Sequence, residues 1–536
     1  MLVRQTGESY KQHPLKGPFE AIVIGSGIGG LTAAALLAKH AGKKVLVLER
    51  HYAAGGFTHV FHRRNYEWDV GVHYVGQVNS PKATARVAFD HLTEGRLQWN
   101  PMPDVYDRIV IANRKYDFPS GMERFRERMK QYFPDEIAAI DGYIASVCAA
   151  VAASGMFFAS KAIPAAIGRL IGPWMSRKFL RYSDQTTAQV LNGLTRNTEL
   201  IAVLAGQWGD YGLPPAQSSF AIHAIIAHHY FEGAGYPIGG ASEIAAGIAP
   251  LIERAGGQIM VSAEVSEIIL DRGRKAVGVR MADGVEIRAD TVISDGGAYN
   301  TFARLLPADL SASRGALAEL KNIPPSMSHL CLYAGLKREA GEPEFGATNL
   351  WIYGEADHDA SLARFEKDPD GPFPVLFVSF PSAKDPTFAE RFPGRSTIEV
   401  VTLAPYRMFD KWADTMWKRR GAEYNELKQK LTARLQEELE RHLPAARGKI
   451  ETAELSTPLS TRHFVNYQSG EIYGASCVPA RFRARVFGAH TPIRNLYLTG
   501  QDVSTLGVTG ALFGGVIAAS AILRRNLMSV ISRPSA

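Results

Sequence analysis

The stretch Gly25-Ser26-Gly27-Ile28-Gly29-Gly30, read with its flanks, constrains the fold more than any other part of this 536-residue chain. Before it, Phe19–Ile24 is a short apolar run suited to a buried strand. After it, Gly29–Ala41 reads as a helix and Lys44–Glu49 as a second buried strand. A strand, a glycine-rich turn, a helix and a strand in about thirty residues open a dinucleotide-binding domain. Gly25 permits the tight turn out of the strand, and Gly27 lets the backbone approach a pyrophosphate stabilised by the helix N-terminus. Gly30 allows the helix to pack closely on the strand. Glu49 is positioned to hydrogen-bond ribose hydroxyls, which favours an unphosphorylated adenosine. A merely structural glycine turn is the competing reading; the agreement of strand, helix and acid weighs against it.

Two later blocks share this character. Gly239–Gly240 precede a helical stretch, Ser242–Ala255, followed by strand-like Gln258–Val261, Glu264–Leu270, Ala276–Met281 and Asp290–Asp295. Near the end, Asn495–Thr499 is strand-like, Gly500-Gln501-Asp502 is a turn, and a small-residue helix runs from about Gly510. The expected architecture is α/β, with a discontinuous Rossmann-type domain made of residues 1–104, 231–309 and 456–536. Residues 105–230 and 310–455 form a mixed α+β substrate domain, the first part mostly helical and Ala-rich. In the second, Leu427, Leu431, Leu435, Leu439 and Leu443 recur every four residues, the stripe of a helix packed on a core.

The net charge of +7 is modest and spread along the chain, so nucleic acid is not indicated and weak attraction to anionic lipid is the more natural reading. Cys148, Cys331 and Cys477 are isolated, which supports neither a zinc site nor a disulfide framework and suits a reducing, cytoplasmic compartment. Adjacent His228 and His229, read as part of an extended segment, point in opposite directions and are not expected to hold a metal. Tyr143–Ser160 and Val503–Leu523 lack charge. The glycine-rich second stretch reads as a buried helix. The first continues into Ile163, Ile167, Leu170 and Ile171 with Lys161 and Arg169. It is either an amphipathic patch for a bilayer surface or a buried helix pair.

The second glycine pair in Glu49-Arg50-His51-Tyr52-Ala53-Ala54-Gly55-Gly56 and the closing Leu496-Tyr497-Leu498-Thr499-Gly500-Gln501-Asp502 resemble the amine-oxidase-like flavoproteins. Asp69-Val70-Gly71-Val72-His73-Tyr74-Val75-Gly76, His228–Pro237, Phe380–Thr387 and Gly470–Gly474 are similar to the retinol saturase and carotenoid isomerase branch, beside the phytoene desaturases. Phe57-Thr58 departs from related saturases, which often carry small or cysteine residues there.

The resemblance implies FAD as cofactor. It places Gly25, Gly27, Gly29, Gly30, Glu49, Arg50, Gly55, Gly56, Gly500, Asp502, Gly510 and Ala511 around it, with the Val265 backbone against adenine. It also places His73, Tyr74, Glu232 and Tyr236 nearest the flavin, as candidate proton donors or headgroup ligands. The implied substrate is a hydrophobic polyene or isoprenoid, with saturation, desaturation and isomerisation all open. With one GxGxxG unit present, the electron donor or acceptor is expected to be external. A non-enzymatic lipid escort or an amine oxidase on the same architecture remains the alternative.

Overall fold

The computed structural model describes residues 6–338 and 345–532, apart from the side chains of residues 165, 166 and 169. Arg169 of the apolar patch therefore lies outside the described residues.

Six parallel strands form the first sheet: β1 (Glu8–Ser9), β2 (Ala21–Ile24), β3 (Val45–Leu48), β4 (Gln258–Val261), β5 (Thr291–Ser294) and β6 (Leu496–Leu498), in spatial order β1-β4-β3-β2-β5-β6. Strands β2, β3 and β4 are buried at every position, as expected for a parallel sheet covered on both faces. The edge strand β1 was not foreseen; two residues, Glu8 and Ser9, carry too little pattern to announce a strand.

Helix α1 (Ile28–Ala41) is buried from Ile28 through Ala38 and ends at Gly42, whose left-handed backbone returns its N–H to the Ala38 carbonyl. Its partner α2 (Gly507–Leu523) starts a turn earlier than the sequence indicated. The two pack so closely that a Cβ on Gly515 would lie 2.6 Å from the Gly29 carbonyl oxygen and from Thr32 Cβ.

The second sheet has seven strands in the order Ile450–Ser456, His329–Lys337, Arg395–Leu403, Leu376–Ser379, Asn349–Tyr353, Val105–Ile111 and Arg114–Pro119. Its side chains alternate between faces. Ile109, Ile111, Trp351, Tyr353 and Phe377 enter one core, whereas Val110, Ile352, Leu376 and Val378 enter another. Helices Ile137–Ser160 and Phe220–Tyr230 contribute to the first core. The helix Ala422–His442 covers the second with buried Leu431, Leu435 and Leu439, and Leu427 and Leu443 pack at its margins.

Residues 105–230 are mostly helix and open with two strands that complete the seven-stranded sheet, the parallel pairing of Val105–Ile111 with Asn349–Tyr353 joining segments distant in sequence. One expectation needs correction. His228 and His229 lie on the helix Phe220–Tyr230, not in an extended segment. His229 accepts a hydrogen bond from the Gly76 amide at 2.8 Å.

A hairpin of Val60–Arg63 and Tyr66–Asp69 is fixed to the seven-stranded sheet: Trp68 donates its indole N–H to the Ala334 carbonyl at 3.1 Å, and the Asp69 amide donates to Glu399 at 2.8 Å. Because α1 and α2 touch through glycine, Gly515→Val is expected to destabilise the protein by about 1–3 kcal/mol. A denaturant titration that leaves the midpoint unchanged would contradict this packing.

Candidate functional site

The glycine-rich turn is held by side chains around it. Gly25 has φ of +98°, a conformation that favours glycine. The Ser26 amide and hydroxyl both donate to Glu49 Oε2, at 2.9 and 2.8 Å, and the His51 amide donates to Oε1 at 2.8 Å. The Gly55 amide in turn donates to the Ser26 carbonyl and hydroxyl oxygens, both at 3.1 Å. Ser26 thus joins the first glycine motif, the acid and the second glycine pair.

Asp295, at the end of β5, lies beneath the turn. A Cβ on Gly27 would sit 2.4 Å from its Oδ2, and one on Gly500 would sit 2.3 Å from its Oδ1. Burial raises its pKa to about 8, against the lowering effect of the Gly30 and Gly27 amides and with further upward pressure from Glu49 and Asp502. The shift favours the neutral carboxyl, which opposes an anion above the turn less than a carboxylate would. No sequence pattern marked Asp295, because its position depends on β5 pairing with β2.

Asp502 is buried. Its Oδ2 accepts the Ala298 amide at 2.7 Å, while Oδ1 has no hydrogen-bond partner and lies 3.7 Å from Arg481. Arg481 is itself buried and donates to the Ala475 and Gln501 carbonyls at 2.6 and 2.8 Å. Helix α2 begins beside Asp502 with no side-chain cap on its first amides, and Gly507, Val508 and Ala511 face the same space.

These parts line one cleft that reaches from the glycine turn to the seven-stranded sheet. Gly25, Gly27, Gly29, Glu49, Arg50, Gly55 and Gly56 line one end, with Val265, Asp502 and Ala511. Gly30, Gly500 and Gly510 stand behind the wall as close-packing positions; a Cβ on Gly510 would meet the Thr505 carbonyl at 2.1 Å. Arg50 donates to the His463 carbonyl at 2.7 Å and lies 3.5 Å from Glu264.

At the far end, His73, His329, Cys331 and Val401 form the wall. Of the four candidate active-site groups, only His73 reaches the cleft. Tyr74 is buried behind it between Asp107 and Asp210, at 2.9 and 3.0 Å, and stacks on Tyr230. Tyr236 is buried against Asp69, to which its hydroxyl donates. Glu232 is exposed near the Met122 amide. The resemblance identified the neighbourhood but could not say which side chains turn toward the cavity.

The architecture and the cleft can now be set beside known proteins. The flavin containing amine oxidoreductase family matches residues 28–523. The chain belongs to this family. It is 39% identical over 95% of its length to all-trans-retinol 13,14-reductase from Danio rerio, covering 86% of that protein. It is 27% identical over 97% of its length to the chloroplastic prolycopene isomerase of Arabidopsis thaliana, covering 85% of that protein. Among solved structures, cyclohexylamine oxidase from Brevibacterium oxydans superimposes with a TM-score of 0.60 over 96% of this chain and 99% of that one. At 16% identity that likeness concerns the fold.

The chain is an FAD-dependent oxidoreductase. The cleft suits FAD chemically: a glycine turn without side chains, two helices with open first-turn amides, and a buried Asp502 oxygen that accepts no hydrogen bond.

Gly27→Val is expected to abolish flavin binding; flavin absorbance in a purified, folded variant would refute the placement. Glu49→Ala should weaken FAD binding by about 1–3 kcal/mol through lost charge-assisted hydrogen bonds. An unchanged titration would remove Glu49 from the cofactor site.

Proposed function

We propose that this flavoenzyme reduces a C=C bond of a hydrophobic polyene, with cis–trans isomerisation of a polyene as the alternative outcome at the same site. The observation that carries this reading is the 39% identity to an all-trans-retinol 13,14-reductase along nearly the whole chain. The more distant prolycopene isomerase supports the polyene class without fixing the reaction.

When bound and reduced, FAD supplies a hydride to one carbon of the double bond. The chain's own residues must hold the polyene, exclude water and deliver a proton to the other carbon. Phe57, Val70, Leu305, Val401 and Ile472 give the cleft apolar surface along which a polyene can lie, while His73, His329 and Cys331 are titratable groups on the sheet side. Residues 105–230 and 310–455, which supply the seven-stranded sheet and its helices, form the substrate side in this reading. Residues 1–104, 231–309 and 456–536 form the cofactor side. The reductant is external, since the sequence carries a single dinucleotide motif.

Delivery from a membrane surface completes the proposal. Among the described residues, Pro134–Ser160 is one helix long and apolar enough to cross a membrane by length and composition. Only 33% of its most apolar window is buried. On the next helix, Ala165–Ser183, Leu170 and Trp174 are 82% and 70% exposed, with Ile167 and Ile171 beside them. Exposed Arg177, Lys178 and Arg181 follow. Apolar side chains flanked by cations suit a peripheral contact with anionic lipid better than a span.

Purified protein should show a flavin spectrum and, under anaerobic reducing conditions, convert all-trans-retinol to a product heavier by two hydrogen atoms. A product of unchanged mass and altered geometry would select isomerisation. Turnover of aliphatic amines without polyene conversion would replace this reading by amine oxidation. The double variant Leu170→Ser/Trp174→Ser should lose most co-sedimentation with anionic phospholipid vesicles while keeping its flavin; undiminished co-sedimentation would exclude this patch as the membrane contact.

A further inference from the structure

Behind the cavity wall lies a buried polar cluster that cofactor binding does not use. Glu399, on the strand Arg395–Leu403, is 0% exposed, yet its side chain points toward the flavin cleft through His73. His73 Nδ1 lies 2.9 Å from Glu399 Oε2, and neither atom has another hydrogen-bond partner. The other carboxyl oxygen, Oε1, accepts the Asp69 amide at 2.8 Å, so the carboxyl group is fixed in orientation. Lys384, also buried, donates to the His73 carbonyl at 2.9 Å, to Asn349 Oδ1 at 2.5 Å and to Ser379 Oγ at 2.7 Å. On the cavity side, His73 Nε2 has no hydrogen-bond partner among the described residues, and the side chain is 17% exposed where it lines the cleft.

We propose that Glu399 is the proton store for the reduction, acting through His73, and that Lys384 stabilises the carboxylate left behind. This rests on the reading of the site as a polyene reductase. As hydride reaches one carbon of the double bond, the Nε2 proton of His73 passes to the other carbon. Nδ1 takes the Glu399 proton in the same relay, so the imidazole is neutral before and after and has exchanged tautomers. The double bond is reduced by one hydride and one proton. Glu399 ends as a carboxylate; a solvent proton then enters at His73 Nε2 from the cleft and the Nδ1 proton returns to Glu399, which restores both the carboxyl group and the first tautomer.

The electrostatics agree with the geometry. Burial raises Glu399 to about 8 against the lowering pull of Lys384, and burial together with the Lys384 charge lowers His73 to about 3. Both shifts run in the direction that favours a protonated carboxyl beside a neutral imidazole. The titratable and charged groups facing Glu399 are Lys384, Asp69, Cys331, Tyr333 and Tyr236, and His329 faces His73. Burial lowers Lys384 to about 8 while the nearby acids oppose that shift.

The experiment compares wild type, Glu399→Gln and Lys384→Met, each loaded with FAD. In single turnover with reduced flavin and all-trans-retinol, Glu399→Gln should be slower by at least a hundredfold. The wild-type rate should fall as pH rises through about 8, where the carboxyl loses its proton. That alkaline limb should vanish in Glu399→Gln, a change that a merely structural role would not produce. Lys384→Met should slow turnover while retaining the limb at a shifted pH. A Glu399→Gln enzyme with wild-type rate and limb would overturn the proposal. Infrared spectroscopy of the resting protein supplies a readout independent of substrate. A protonated-carboxyl band at neutral pH that is lost in Glu399→Gln and shifted by His73→Asn supports the store even if wild type reduces no polyene, an outcome that would sink the function assigned above. Absence of that band overturns the store whatever the enzyme's substrate.

Discussion

Everything in this molecule depends on a contact made almost without side chains. The glycine turn after β2, Asp295 at the end of β5 and Gly500 after β6 meet so closely that a Cβ on Gly29 would lie 2.3 Å from the Gly500 Cα. No residue larger than glycine fits there without displacing backbone. The same crossing brings α2 onto α1 and sets both helix N-termini at one end of the cleft. Steric exclusion, more than any strong attraction, determines where an anionic cofactor can lie. Ser26, Glu49 and Gly55 then fix the turn with hydrogen bonds whose partners are themselves buried.

The cofactor half was largely legible because its signals are local. The strands β2 and β3, helix α1 and the acid at Glu49 follow one another within a short stretch, and apolar runs bounded by glycines identify them. The later strands β4, β5 and β6 were recognisable for the same reason, although their spatial order was not. The stripe of leucines from Leu427 likewise announced its helix, since a four-residue recurrence survives whatever the helix packs against.

What the sequence concealed depends on long-range pairing. Val105–Ile111 joins a sheet whose next strand comes from Asn349–Tyr353, so its period-two pattern served two cores that no local window reveals. Asp295 and Arg481 reach the site by way of strand pairing and a short helix, with no motif around them. Tyr74 and Tyr236 are buried outside the cleft lining, their hydroxyls turned toward Asp107, Asp210 and Asp69. The buried acid Glu399 was invisible for another reason: on a mixed strand it reads as one more polar position until its burial beside His73 and Lys384 is seen.

The cleft thus joins a cofactor cradle built from backbone to a wall built from titratable side chains, and its central claim is that a single polyene spans the two. Anaerobic mixing of pre-reduced enzyme with all-trans-retinol, followed at flavin and polyene wavelengths together, tests that claim most directly. The account predicts flavin reoxidation in step with loss of one double bond, in equal amounts. Flavin that stays reduced while the polyene spectrum is unchanged would contradict it.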